Sequence, residues 1–576
     1  MANTKITSRV IADNSVGIDA LNVSDGTNGQ YLQTDGSGTL SFSTVSGYTD
    51  SDVATYLGGG NTINIDTQGT IKLDGNYPTG TNNVALGDSA GQSIQSGGNE
   101  NTFIGDGAGA SVTTGIRNVL IGYLAGDALT DADENIAVGK SALSLDTLGT
   151  RTTAIGKSAL SNQNFTSSTQ TYNVAVGYEA LKANTTGVNN TAVGSLVLDA
   201  NTTASNNTAL GYSALTANTT GTRNTAVGAF ALDANTTGLF NTAVGYNSGT
   251  GITTAFWNTY MGDFCGALTT TGGSNTAIGQ SALYANTTGG SNTAIGQSAL
   301  AANTTASYNT AVGKDALLAN TTGATNTAVG DSAGYSNTTG LLNVWVGKSA
   351  GVNATTGTSN TALGVQALDG VTTGGDNVGI GYESGGFGTG TVTTGSGNTY
   401  VGAYARAGGG AVAGEIGIGR YCLSQGSSTA TLGYNGTGVH IALNGSTTSW
   451  SAHSDERLKE NIQDSTAGLS FINDLRPITY NWKSKKDISE DFVNYYDANS
   501  DEPVQGTVKQ TNHGFIAQEV KAVIDAHPEI KEGHSIWRES PDGIQNLADG
   551  ALIPMLVKAI QELSVEVETL KSQIGV

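Results

Sequence analysis

The residues best equipped for chemistry lie together near the C-terminal end of the chain. The stretch Trp450–Gln463 reads WSAHSDERLKENIQ, and it places His453, Ser454, Asp455, Glu456 and Lys459 side by side. A serine hydroxyl attacks a carbonyl once a base takes its proton. A lysine amine can be that base when burial lowers its pKa toward neutrality. Spacing alone argues against the pair. On one helix, residues five apart point about 140° away from each other. Ser454 and Lys459 can therefore meet only if the segment is a turn, or if Lys459 comes from a neighbouring chain. Read by itself, S-D-E-R is a helix N-cap with acids in the first turn. Nothing gives His453, Asp455 or Glu456 a chemical role.

Other chemistry is sparse. Acidic side chains are scattered, with no pair placed to flank a glycosidic bond. No cofactor and no metal is expected. Cys265 and Cys422 fall in a repeat slot otherwise held mostly by alanine, so each reads as a small buried hydrophobe rather than half of a disulfide. A net charge of −22 argues against nucleic acid or an anionic membrane as partner. No apolar run approaches the length of a membrane span, and MANTKITSRVIADNS lacks the apolar core of a secretory signal.

Most of the chain repeats one phrase, N-T-A-V-G, a variable pair, A-L, then A-N-T-T-G. NTAIGQSALYANTTGGS from Asn275 is followed by NTAIGQSALAANTTASY from Asn292. Counting the first Asn as offset 0, copies start at 83, 101, 118, 135, 152, 173 and then nearly every 17 residues to 415. Repeats this short predict a stack of coils, not a globular core. At about 4.8 Å per coil the stack is a rod of roughly 90 Å. Two short strands and two turns per coil fit the length. Gly at offset 4 is invariant, as a bend or a close backbone approach requires. A-N-T-T-G offers Asn and Gly for turns with positive φ. Asn at offset 0 predicts a side-chain ladder along one edge.

Size classes predict an inside and an outside. Offset 7 is always small and offset 8 is Leu or Gly, with Arg406 the exception; offset 5 varies freely and faces out. Offset 3 is always aliphatic or Met, so it is expected in the packed interior. Alternation then sends offset 2 outward. That position is mostly Ala, with Phe103, Leu120, Tyr260, Trp345 and Tyr400 as exceptions. Tyr260, Trp345 and Tyr400 thus become candidate receptor contacts, as aromatic platforms for a sugar or as packing between chains. So thin a coil is expected to bury a second face against copies of itself, most simply as a homotrimer.

Composition changes at the end. From Ser454 onward 33 of 123 residues are charged, against 39 of 453 before it, and five of the six prolines fall there. This predicts a separate α/β domain. Its last segment carries Ile553, Leu556, Ile560, Leu563, Val567, Leu570 and Ile574 at 3-4 spacing, a coiled-coil seam of about three heptads that Gly575 ends.

Three motifs in this part, SDERLKENI from Ser454, LRPITYNWK from Leu475 and HGFIAQEV from His513, carry a resemblance. They are similar to the C-terminal intramolecular-chaperone, self-cleaving domains of bacteriophage tail spikes, tail fibres and neck appendages, including endosialidases. The repeat resembles those of phage fibres and, more loosely, the coiled heads of trimeric autotransporter adhesins. The N-terminal stretch resembles the start of marine phage fibres. The resemblance implies a Ser/Lys dyad with Ser454 as nucleophile and Lys459 as base, cutting at His453–Ser454 once per chain. The fold class expected is mainly β: a homotrimeric β-solenoid rod of 17-residue coils, then a small α/β chaperone domain ending in a coiled-coil helix. The regions are an N-terminal tail-attachment part (1–80), a shaft (81–433), a linker (434–453) and the self-cleaving chaperone (454–576). Implied partners are a tail or baseplate protein and a host-surface glycan or protein receptor. The implied location is the virion, after synthesis in the host cytoplasm. Rival readings are a polysaccharide-degrading tail spike and a bacterial trimeric surface adhesin.

Overall fold

The computed structural model describes residues 30–34, 40–44, 80 and 82–575, apart from short stretches at 387, 389, 444–450, 453–455, 457–458, 490–495, 505–510, 532–533 and 541–542. The chain divides into two compact units, residues 1–453 and 454–576.

In the first unit, Gln30–Thr34 pairs antiparallel with Leu40–Thr44. From Val84–Leu86 to Ile416–Ile418 the chain is a β-solenoid of about 20 turns. Each turn contributes one three-residue strand, and each strand pairs in parallel with the same offsets of the next, as in Thr276↔Thr293, Ala277↔Ala294 and Ile278↔Ile295. One strand per coil is enough in nearly all coils, with a second strand described only at Gly149–Thr150 and Thr169–Gln170, which pair with each other, because the turns are also bonded coil to coil. Leu283 N–H donates to Ala299 O at 2.9 Å and Thr287 N–H to Thr304 O at 2.8 Å. The far end is closed by Thr429–Tyr434, parallel to the last coil, and by the antiparallel strands Thr437–Ala442 and Ser451–Ala452. These strands replace part of the linker expected over 434–453. They cover the strand edge that the last coil would leave open.

The coil beginning at Asn275 shows why the repeat reads as it does. Asn275, Ala277, Ala282, Leu283 and Asn286 are fully buried. Gly279 has φ +130°, and a Cβ there would lie 2.6 Å from Gly296 O in the next coil, so no other residue fits. Asn275 Nδ2 donates to Gly289 O at 2.9 Å across its own coil. Asn275 Oδ1 accepts the N–H of Asn292 at 3.0 Å in the next. The expected Asn ladder therefore exists, but inside the coil rather than along an edge. Asn at offset 11 forms a second ladder that the sequence reading missed: Asn303 Nδ2 donates to Asn286 Oδ1 at 3.0 Å and to Ala306 O at 3.1 Å. It ends at Asn235 and Asn337, whose buried Oδ1 atoms have no partner, because offset 11 of the next coil is Ile252 or Ala354. The N-T-T-G segment does not use positive φ at its Asn or Gly. The left-handed residues sit at offsets 4, 6, 8 and 16, as in Gly279, Ser281, Leu283 and Ser291.

The structure reverses the expected faces of the strand. Offset 2 points inward: Tyr260, Trp345 and Tyr400 are fully buried, as are Phe103 and Leu120, so none of them is a receptor contact. Offset 3 points outward, with Leu210, Met261 and Leu363 between 44% and 49% exposed. The alternation was read correctly and its phase was not. The signal was available at offset 8. Where offset 2 is large, offset 8 is Gly instead of Leu in the coil before and, except beside Tyr400, in its own coil: Gly249 and Gly266 around Tyr260, Gly334 and Gly351 around Trp345. A Cβ at Gly334 would come 2.6 Å from the Trp345 indole. Core volume is conserved across the two offsets, so both face one interior. Offsets 5 and 7 stand as expected: Gln297 is exposed and Ala299 is fully buried.

In the second unit, helices α1 (Leu469–Asp474), α2 (Ala517–Ala526) and α3 (Ile553–Ile574) accompany two antiparallel strand pairs, Ile478–Tyr480 with Asn512–Gly514 and Trp537–Glu539 with Gln545–Leu547. Phe471, Leu475, Val520, Ile524, Ile530, Ile536 and Leu552 form a small core. The α3 seam stays open to solvent along its length, from Ile553 to Ile574. Gly575 ends the helix in the left-handed conformation at φ 75°.

Candidate functional site

The motifs of the C-terminal unit converge. LRPITYNWK and HGFIAQEV supply the two strands of one pair, with Ile478↔Gly514 and Tyr480↔Asn512. The guanidinium of Arg476, in the first motif, makes a two-point ion pair with Glu519, in the second. Hydrogen bonding to Glu519 raises the arginine pKa and lowers that of the acid. Glu562 of α3 accepts the N–H of Leu469 at 2.7 Å and so caps α1. Where α1 ends, the ring of His527 bridges two acids, Nε2 to Asp474 Oδ2 at 2.9 Å and Nδ1 to Glu529 Oε1 at 2.8 Å. These two bonds, Asp474 first, raise the histidine pKa. The ring also meets Phe471 edge to face at 5.4 Å. Spacings of 43, 53 and 93 residues hid Glu519, Asp474 and Glu562 from the sequence reading.

Of the proposed cleavage residues, His453 and Ser454 lie outside the described residues. Lys459 is described and exposed, and its N–H donates to Glu456 O at 3.0 Å. Among the described residues from 459 to 467 there is no helix. The S-D-E-R helix N-cap reading and the Ser454–Lys459 pairing both fall on residues outside those described, Ser454, Asp455 and Arg457 among them. The last described strand before the bond is Ser451–Ala452 of the first unit, and the division between units falls at 453/454. An open groove of about 690 Å³ in the C-terminal unit is lined by Leu475, Pro477, Phe515, Leu552 and Leu556 among others, and Lys459 does not border it. Among the described residues no group of three or more His, Cys, Asp or Glu is placed to hold a metal. No described helix is long and apolar enough to cross a membrane.

A solenoid shaft followed by a small, separately folded unit with an open helical seam is the architecture of a tail fibre or tail spike that carries its own folding domain. Residues 454–527 match the peptidase family described as the chaperone of endosialidase. The C-terminal unit is thus an endosialidase-type intramolecular chaperone of a self-cleaving family, and the chain is a fibre- or spike-like protein. The match begins at Ser454, the residue after the proposed scissile bond. No curated protein and no solved structure matches the chain significantly.

Proposed function

We propose that the protein is a bacteriophage tail fibre that attaches the virion to its host, built as a homotrimer whose C-terminal unit sets the register of the shaft and is then cut off. Residues 1–80 bind the tail or baseplate, and the shaft meets a glycan or protein on the host surface. Ser454 attacks the carbonyl of His453, and Lys459, of the same or a neighbouring chain, takes the hydroxyl proton. The peptide nitrogen of Ser454 leaves with a proton, and water releases the acyl group.

The observation that carries this reading is offset 3. All twenty copies hold an aliphatic residue or Met there, yet the single chain leaves the row partly or largely exposed on a parallel sheet face. A row that never leaves a size class while open to water supports an interior formed by assembly. Only a partner with the same coil pitch can cover it along its length, and another copy has that pitch. The α3 seam, open from Ile553 to Ile574, supports the same partner. Three chains, rather than two, close such faces around one axis.

Truncation tests the chaperone role. Synthesis of residues 1–453 alone should give aggregated or monomeric shaft, whereas loss of 454–576 after assembly should leave the oligomer intact. Normal assembly of the pre-truncated chain would overturn it.

A further inference from the structure

The outward corner at offset 16 is left-handed in every regular coil, with φ near +60°. Asn and Ser suit that conformation, as at Asn189, Asn206, Ser274 and Ser291. Bulky side chains do not, yet Phe240, Trp257 and Tyr308 occupy it at φ 60°, 58° and 63°. Two of them gain little burial in return: Trp257 is 59% exposed and Tyr308 69%, against 36% for Phe240. Strained, exposed aromatic residues concentrate at binding sites.

Their arrangement is specific. Trp257 packs edge to face on Phe256 with ring centres 5.1 Å apart, and lies 6.3 Å from Phe240. The next two coils carry Gly-Gly-Ser in the same place, ending in Ser274 and Ser291, and the third carries Tyr308. Backbone bonds Ser274 N–H to Phe256 O at 3.0 Å, Ser291 N–H to Gly273 O at 3.0 Å and Tyr308 N–H to Gly290 O at 3.2 Å hold the row in register. The result is a low floor of Gly273, Ser274, Gly290 and Ser291 between two aromatic walls. At about 4.8 Å per coil the walls stand roughly 14 Å apart.

We propose that this trough, from Trp257 to Tyr308, binds an uncharged glycan of a few sugar rings along the shaft. The aromatic faces take the apolar faces of the sugars, and the exposed Ser274 and Ser291 hydroxyls take ring hydroxyls. The floor carries no charge and the chain as a whole is strongly acidic, at −22, which disfavours an anionic glycan. A second copy is not the occupant. A copy-to-copy face recurs on every coil, as offset 3 does, whereas the aromatic walls are local, and Thr325, Leu342 and Ser359 hold the same corner further along. The proposal names a ligand class and a place for the attachment reading above, and rests on it.

The test uses the native protein, Trp257→Asn, Tyr308→Asn and the double variant. Asparagine already occupies this corner at Asn189 and Asn206, so folding is preserved. Affinity electrophoresis is run through gels containing a neutral α-glucan, mannan or galactan, or the anionic alginate, and native mass is recorded for each protein. At least one neutral polysaccharide should retard the native protein. Each single variant should weaken that retention about tenfold or more, and the double variant should abolish it, with oligomer mass unchanged. Retention by alginate alone, no retention by any neutral polysaccharide, wild-type retention in the variants, or a changed oligomer mass would each overturn the proposal. Sedimentation with host-cell envelopes separates the two ideas. Envelope binding that survives in the double variant overturns the trough and leaves attachment standing. Absence of envelope binding in the native protein, with its polysaccharide retention kept, overturns attachment instead.

Discussion

In the shaft, the partner of a buried side chain recurs at a few fixed spacings: 17 residues for Asn292 and Asn275 or Asn303 and Asn286, 14 for Asn275 and Gly289, and 3 for Asn303 and Ala306. In the C-terminal unit, Arg476 reaches 43 residues to Glu519, His527 53 residues to Asp474, and Leu469 93 residues to Glu562. The first pattern is cheap to specify and ambiguous. Sliding one chain by a whole coil against another would restore nearly every contact, so the repeat cannot fix register. The second pattern has a single solution. The ambiguous unit is the shaft, and the unit with unique contacts is the one matched to a chaperone family. The separation gives a physical reason for joining a folding domain to such a shaft.

The largest effect should come from the shaft core. Trp345→Ala empties a site closed on all sides and should cost about 3–5 kcal/mol per chain. Adding Gly334→Leu and Gly351→Leu recreates the common coil, in which Leu283 and Leu300 already adopt φ 55° and 53° at that slot, and should recover most of the loss. Thermal unfolding of the three shafts measures this; an additive penalty in the triple variant would mean that offsets 2 and 8 do not share one interior. Trp345→Phe should cost far less than Ala, since the buried indole N–H has no partner to lose.

A smaller contrast lies two residues apart. Ala299→Leu should cost about 1–3 kcal/mol per chain by overpacking, while Gln297→Leu should stay within about 0.5 kcal/mol, as at ordinary surface sites. Heat or detergent resistance of the two shafts ranks them. The opposite order would turn the coil inside out.

The pattern of these two tests matches what the sequence made legible. Period, coil length, the Gly at offset 4 and the small slot at offset 7 were readable because each is a steric demand repeated twenty times. The phase of the strand was misread because constancy at offset 3 was taken for burial within one chain. Tyr260, Trp345 and Tyr400 looked like exceptions on a surface, although the paired glycines at offset 8 already showed that they fill a core. In the C-terminal unit the family motifs were legible. The partners of Arg476, His527 and Glu562 were not, because no periodicity links residues so far apart.

The mildest effect belongs to the C-terminal unit. His527 has a raised pKa in the fold, so its bonds to Asp474 and Glu529 contribute fully below the ordinary histidine value of 6.5 and are lost as pH rises through the raised value. Glu529 is shifted down, by its own backbone first and by His527 second, so its contribution is fully present above 4.5 and is lost as pH falls further. The unit should therefore be firmest between about pH 4.5 and 6.5. His527→Gln should flatten that maximum while the shaft's melting shows no matching change. A maximum that survives in the variant would assign it to other groups.

Native mass spectrometry of the whole protein tests the division of labour most directly. The account predicts a trimer of chains ending at His453, a released fragment starting at Ser454, and uncut 58.2 kDa chains that still assemble in Ser454→Ala and Lys459→Ala. Wild-type chains that assemble and stay whole, or efficient cutting in Ser454→Ala, would contradict it.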